Sequence, residues 1–349
     1  MKVLGPVEFG DYLTARQDSL RDPRLAASVA AIVDDVRTRG DDALLEYLMR
    51  FDGVKMCSEG LEVPSGEFDA AYSQVSDVAL GALRTAVKMV REYSRKTMTA
   101  STRLIPAASG MLGRIYRPVD RAGVYIPGGR KPYISTVIMT AVPAGVAGVP
   151  TVVACTPPGP GGAVDPHILV ACREAGVNRL FKIGGAQAIA AMAYGTETIP
   201  RVDKVVGPGN RYVAMAKRLV YGDTGIDSLA GPSEIAILAD EAADPGWIAT
   251  DLLAQAEHGP DSTAVLFSTS AGLIQEVGRT LACAAGMAGS LSEALHPWIV
   301  GVLCDSIRQA AELINGMAPE HLQIMTVDPL EVLPLVRAAG AILVGDQSP

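Results

Sequence analysis

The chain has 349 residues, of which 49% are hydrophobic and 19% charged, enough apolar material for two domain cores of ordinary size. Its formal net charge is −8 and it carries no basic run, which excludes nucleic acid and anionic membrane surfaces as expected partners. The opening Met1–Lys2–Val3–Leu4–Gly5–Pro6 leads into no long apolar segment, so no secretory signal is expected and the expected location is the cytoplasm.

The first hundred or so residues read as helical. Apolar residues recur at helical spacing over Ala26–Val36, with Gly40 at a stop position, and Asp41–Phe51 continues in the same style. Val75–Thr97 predicts a long amphipathic helix. Near Arg117 the texture changes. Short β-rich runs then alternate with helical ones. Strands are predicted at Gly123–Ile126, Thr151–Cys155, Arg179–Ile183, Lys204–Val206, Glu234–Leu238, Ala264–Ser268, Ile299–Leu303 and Ala341–Val344. Helices are predicted between them at His167–Ala175, Ala186–Ala193, Arg211–Val220 and Trp247–Gln255.

Ser135 to Cys155 is uncharged, but Pro143, Gly145, Gly148 and Pro150 interrupt it, so a buried helix followed by a buried strand is expected rather than a membrane span. Apolar strands alternating with helices predict an α/β chain with two modest, doubly wound parallel sheets. The five cysteines show no CxxC spacing and read as free, buried thiols of a reducing compartment.

Glycine- and proline-rich turns flank the predicted strands, and in open α/β sheets ligands bind beyond the carboxyl ends of the strands. Tyr125 precedes Pro127–Gly128–Gly129, which offers either a surface for cofactor approach or a tight turn. Gly184–Gly185–Ala186–Gln187 opens a helix whose free amides suit a phosphate, although the GxGxxG fingerprint is absent. Asn210, after Gly207–Pro208–Gly209, can cap the following helix or reach a ligand. Ser233 does not fit a nucleophile elbow, which leaves a substrate contact or a loop cap. Gln255 and His258 lie three apart, on one helical face, a spacing that suits two ligands of one ion or simply a helix end. Glu320 and His321 follow Pro319, a residue suited to the first turn of a helix, and such a pair can divide proton transfer between them.

In this order, Gly123–Gly129, Gly184–Ala190, Val206–Asn210, Ala230–Glu234, Gln255–Ser262 and Ala318–Leu322 resemble the motifs of the histidinol dehydrogenase family, from about residue 20 to the last residue. The resemblance implies oxidation of L-histidinol to L-histidine through an aldehyde in two NAD-dependent steps, by a zinc-dependent homodimer with two Rossmann-like domains. By matching position, Gln255 and His258 look like zinc and substrate ligands. Glu320 looks like the residue that activates water, and His321 like the base that takes the alcohol proton while touching substrate. Tyr125, Gln187 and Asn210 look like NAD contacts, and Ser233 a substrate contact.

The resemblance also implies a first domain of residues 21–120 with 234–349, a second of residues 121–233, and an N-terminal arm of residues 1–20. The family continues past the position of Pro349 with further zinc ligands and a tail that crosses to the partner, so a weakened dimer or an inactive homologue is an alternative expectation. Asp227–Ser228–Leu229 and Arg130–Lys131–Pro132–Tyr133–Ile134 depart from the family pattern, which leaves a related zinc- and NAD-dependent dehydrogenase of another amino alcohol or polyol as a further one.

Overall fold

The structure, a computed structural model, describes residues 1–20, 23–107, 110–128, 132–229, 233–256, 262–287 and 299–347. The strands among them are β1 (Lys2–Leu4), β2 (Thr102–Ala107), β3 (Gly110–Arg114), β4 (Arg121–Tyr125), β5 (Thr151–Thr156), β6 (Arg179–Lys182), β7 (Lys204–Val206), β8 (Gly225–Ile226), β9 (Glu234–Ala239), β10 (Thr263–Ser268), β11 (Ile299–Leu303), β12 (His321–Met325) and β13 (Ala341–Val344). The chain divides into a continuous unit, Pro23–Ala230, and a discontinuous one, Met1–Asp22 with Gly231–Pro349.

The continuous unit holds a parallel five-stranded sheet in the order β6-β5-β4-β7-β8. Numbered within the sheet this is 3-2-1-4-5, the doubly wound order, with its switch point between β4 and β7. Both faces are covered. The helix Pro23–Arg39 buries Leu25, Val29, Val33 and Val36, a single stripe at helical spacing. That stripe packs with Val153, Cys155 and Phe181 of the sheet and with the helix Gly185–Tyr194, which is apolar all round and buried. On the other face, Val124, Val152, Ala154 and Leu180 meet the helices Asp77–Thr97, Ile134–Ala147 and Pro166–Ala175. The uncharged stretch is thus a buried helix and a buried strand, and no helix among the described residues is long and apolar enough to cross a membrane.

The discontinuous unit repeats the plan. Its six-stranded parallel sheet runs β1-β11-β10-β9-β12-β13, the same 3-2-1-4-5 order with β1 added at one edge. Alternate residues serve opposite cores. Ile235, Ile237 and Leu266 pack on the face of the helix Pro245–Ala256, while Ala236, Leu238 and Phe267 pack on the face that holds Phe9.

Two expectations about domain limits are corrected. Residues 23–120 belong with 121–230, not with 234–349, because the helix stripe above and the segment around Leu61 are built into the second sheet. Lys182 N donates to Leu61 O at 2.7 Å and Val63 N to Leu180 O at 2.9 Å, which closes the β6 edge. Residues 1–20 are not a free arm. β1 pairs in parallel with β11, and Phe9 is fully buried edge-on against Phe267, with ring centroids 5.0 Å apart.

A strand is also corrected. Pro319 starts no helix. The helix Ile307–Met317 ends at Ala318, whose φ of 50° makes it the one non-glycine residue with positive φ among the described residues, and the chain turns there into the central strand β12. Among the cysteines, Cys155, Cys172 and Cys304 are buried and burial pushes their thiols up, whereas Cys57 and Cys283 are exposed against expectation.

Candidate functional site

In the continuous unit, the loops after four strands converge at the carboxyl edge of the sheet. Tyr125 ends β4 and is almost wholly buried, so it is not an exposed stacking surface. Its hydroxyl accepts a hydrogen bond from Gly185 N at 3.0 Å, the first amide of the helix Gly185–Tyr194, and burial pushes the phenol up to about 12. Gly207, at the end of β7, lies against the Tyr125 backbone, and a Cβ there would stand 2.2 Å from Tyr125 O. Pro157, after β5, is packed equally tightly by Gly128 and Gly184. The pairs of Gly-rich turns therefore do form one cluster, at the switch point where doubly wound sheets take nucleotides.

Gln187 is buried in the first turn of the helix after β6, with its amide folded over Gly185, whose φ of 71° favours glycine (a Cβ would lie 2.6 Å from Oε1). Asn210 is exposed, and its Oδ1 accepts from Tyr212 N at 3.0 Å and Val213 N at 3.2 Å. This is the helix cap that the sequence allowed. Replacing Asn210 by Ala is expected to cost about 1 kcal/mol of unfolding free energy, measured by urea titration, and an unchanged midpoint would count against the cap. The carboxylate of Asp227 accepts from Gly207 N at 2.8 Å and pairs with the buried Lys217, whose Nζ also donates to Gly207 O at 3.0 Å. Asp227 thus fixes the turn after β7, a structural duty within a segment that departs from the family pattern. Asp52 stands near Tyr125 with one carboxylate oxygen lacking a hydrogen-bond partner among the described residues, and burial raises its pKa.

In the discontinuous unit the expected residues gather at the opposite, amino edge of the sheet. His321 opens β12 beside Ile235 of β9, and Glu320 immediately precedes it. Glu320 Oε2 lies 3.7 Å from His321 Nδ1 and accepts from Glu234 N at 3.3 Å. Both side chains of the pair are well exposed, 41% for His321 and 50% for Glu320, so both reach solvent. Ser233 lies on the same edge, and its carbonyl accepts from Thr263 N at 3.1 Å.

Gln255 closes the helix Pro245–Ala256, which leaves the carboxyl end of β9 and returns to the amino end of β10. One turn earlier Asp251 hydrogen-bonds Gln323, the residue two beyond His321 on the same face of β12. Gln255 and His321 therefore share a face and an edge of this sheet. Gln255 is 92% buried, and its Nε2 has no hydrogen-bond partner among the described residues. His258, the other expected metal ligand, lies outside the described residues, as does the Gly-Pro of residues 231–232 before Ser233. Zinc requires three or four donors. No group of three His, Cys, Asp or Glu that could hold a metal occurs among the described residues.

Sequence patterns missed Glu234, Arg16 and Thr263. Arg16 is 97% buried, and its Nε donates to Thr263 Oγ1 at 2.6 Å. Glu234 is half-buried. Burial raises its pKa, Arg16 lowers it, and Glu320 raises it. A carboxylate as the first residue of an otherwise apolar strand was the available signal.

A family model described as histidinol dehydrogenase matches residues 15–349. The chain is 48% identical over 334 residues to a histidinol dehydrogenase of Synechococcus sp., covering 93% of this chain and 75% of that protein. It is 43% identical over 353 residues to one from Symbiobacterium thermophilum, covering 100% of this chain and 80% of that protein. The crystal structure of histidinol dehydrogenase from Elizabethkingia anophelis superposes with a TM-score of 0.86 at 33% identity, over 94% of this chain and 76% of that one.

Proposed function

The chain belongs to the histidinol dehydrogenase family, and from that premise we propose that it oxidises L-histidinol to L-histidine by way of L-histidinal, the last steps of histidine biosynthesis, with NAD as oxidant and zinc as metal. The observation that carries the chemistry is the exposed Glu320–His321 pair, set 3.7 Å apart at the amino end of the interior strand β12 and braced by the amide of Glu234.

His321 takes the hydroxyl proton of the alcohol as hydride departs from the same carbon. In the second half, Glu320 withdraws a proton from the water that hydrates the aldehyde, and His321 accepts the proton of the hydrate. Ser233, on the same edge, positions the substrate. When bound, NAD supplies the hydride acceptor and zinc supplies Lewis acidity toward the substrate oxygen. Tyr125, Gln187 and Asn210 would hold NAD at the carboxyl edge of the continuous unit's sheet, and Gln255 with His258 would hold zinc. The assembly we propose is a homodimer.

Purified chain with L-histidinol, NAD and zinc is expected to form two NADH per L-histidine. A chain that reduces NAD with another amino alcohol, and not with L-histidinol, would overturn the substrate assignment.

A further inference from the structure

We propose that Glu234 is a positioning residue for Glu320, acting in the aldehyde half of the reaction. The inference rests on the role of Glu320 given above.

Glu234 sits between a fixed cation and the carboxylate that handles water. On one side it pairs across the ladder with Thr263 of β10, and Thr263 Oγ1 holds the guanidinium of the buried Arg16. On the other side lies β12, in a register that sets Ile235 beside His321 and so brings Glu234 beside Glu320. Strand alternation places the Glu234 side chain on the face of Ala236 and Leu238, the face that Phe9 and the helix Pro6–Leu20 cover and from which Arg16 comes. A buried guanidinium requires counter-charge, and Glu234 is one carboxylate in its field.

The row Arg16, Glu234, Glu320 therefore alternates from cation to half-buried carboxylate to working carboxylate. The middle charge repels Glu320 from folding in over the strand ends toward Arg16. The Glu234 amide at the same time holds Glu320 Oε2 at 3.3 Å. Together these leave Glu320 Oε1 as the oxygen free to meet water. Two devices on one residue thus set one side chain: a backbone donor that any residue would supply, and a charge that only an acidic residue supplies.

Glu234→Gln separates the two, because the backbone bond survives and the charge does not. The test measures histidinol and histidinal oxidation separately in the holoenzyme, for Glu234→Gln, Glu320→Gln, the double variant and Glu234→Asp. Glu234→Gln is expected to lower kcat for the aldehyde about tenfold with KM within about twofold, and to leave the alcohol half-reaction within about twofold. The double variant is expected to be no slower than Glu320→Gln alone. Glu234→Asp keeps a charge opposite Arg16, so it folds even where the amide variant does not, and is expected to show about a threefold loss in the same half-reaction.

An undiminished aldehyde step in Glu234→Gln, equal losses in both halves, or multiplying losses in the double variant would overturn the proposal. Where Glu234→Gln fails to fold, an undiminished aldehyde step or equal losses in Glu234→Asp would do so. If Glu320→Gln still oxidises the aldehyde at the full rate, the role of Glu320 falls and the positioning role falls with it. If Glu320→Gln is impaired and Glu234→Gln is not, only the positioning role falls.

Discussion

Replacing His321 by Asn is expected to lower kcat for L-histidinol by a factor of about 10²–10⁴, with the melting temperature nearly unchanged. Asparagine keeps a planar polar side chain at the start of β12 but cannot take up a proton in the accessible pH range. The fold should tolerate the change, because His321 is 41% exposed while the next residue, Leu322, carries the strand's burial in the core. The loss should fall on the step that removes a proton from the alcohol, and the residual rate should climb with pH as hydroxide replaces the missing base. A variant within threefold of the parent rate would remove His321 from the chemistry. Run beside it, Glu320→Gln should spare the alcohol step and stall at the aldehyde, so the two substitutions separate the halves of the reaction.

The second large effect concerns the other sheet. Gly207→Ala is expected to destabilise the continuous unit by about 3 kcal/mol and to weaken NAD binding with it. Gly207 has φ of 122°, which an L side chain rarely adopts, and its missing Cβ would stand 2.2 Å from Tyr125 O and 3.1 Å from Tyr125 C. The obstacle is backbone, so no side chain can swing aside, and β4 and β7 would have to part at the switch point. The same turn anchors Asp227 and Lys217, so the displacement would spread. Urea unfolding and NAD titration read the two consequences independently. An unchanged unfolding midpoint would show that the turn yields at little cost.

Much of the layout was legible because it rests on local pattern. Val152–Cys155 and Ile235–Ala239 are unbroken apolar runs of strand length, and parallel strands covered on both faces read in that way. β12 escaped notice for the opposite reason: it is no apolar run, its alternation lasts only from His321 to Ile324, and Pro319 just before it suggested a helix start. The β2–β3 hairpin, with exposed residues throughout β3, carries no burial signal either.

The union of residues 23–120 with the continuous unit depends on contacts such as Arg179 to Glu62, at 2.7–2.8 Å across 117 positions, which no local window contains. At the sites, the motifs named Glu320, His321 and Gln255, but nothing in them told which edge of the sheet would carry them. The fold sets them at the amino edge, while at the carboxyl-edge switch point Asp240 accepts from Ala242 N at 3.1 Å and Val327 N at 2.9 Å, which ties the loops after β9 and β12 together.

The addition of β1 to the far edge of the β11 side sets an order of events during synthesis. β1 ends at Leu4 and its partner β11 begins only at Ile299, so β1 leaves the ribosome far ahead of it. At about 5–20 residues per second, β1 waits roughly 15–60 s for its ladder. All of Pro23–Ala230 emerges in that interval and has every strand of its own sheet. The continuous unit can therefore finish folding while the helix Pro6–Leu20, with Phe9 and Arg16, is still without the strands it will cover. Early arrest of translation would leave a folded middle with an unsatisfied leading segment, a natural target for a holding chaperone.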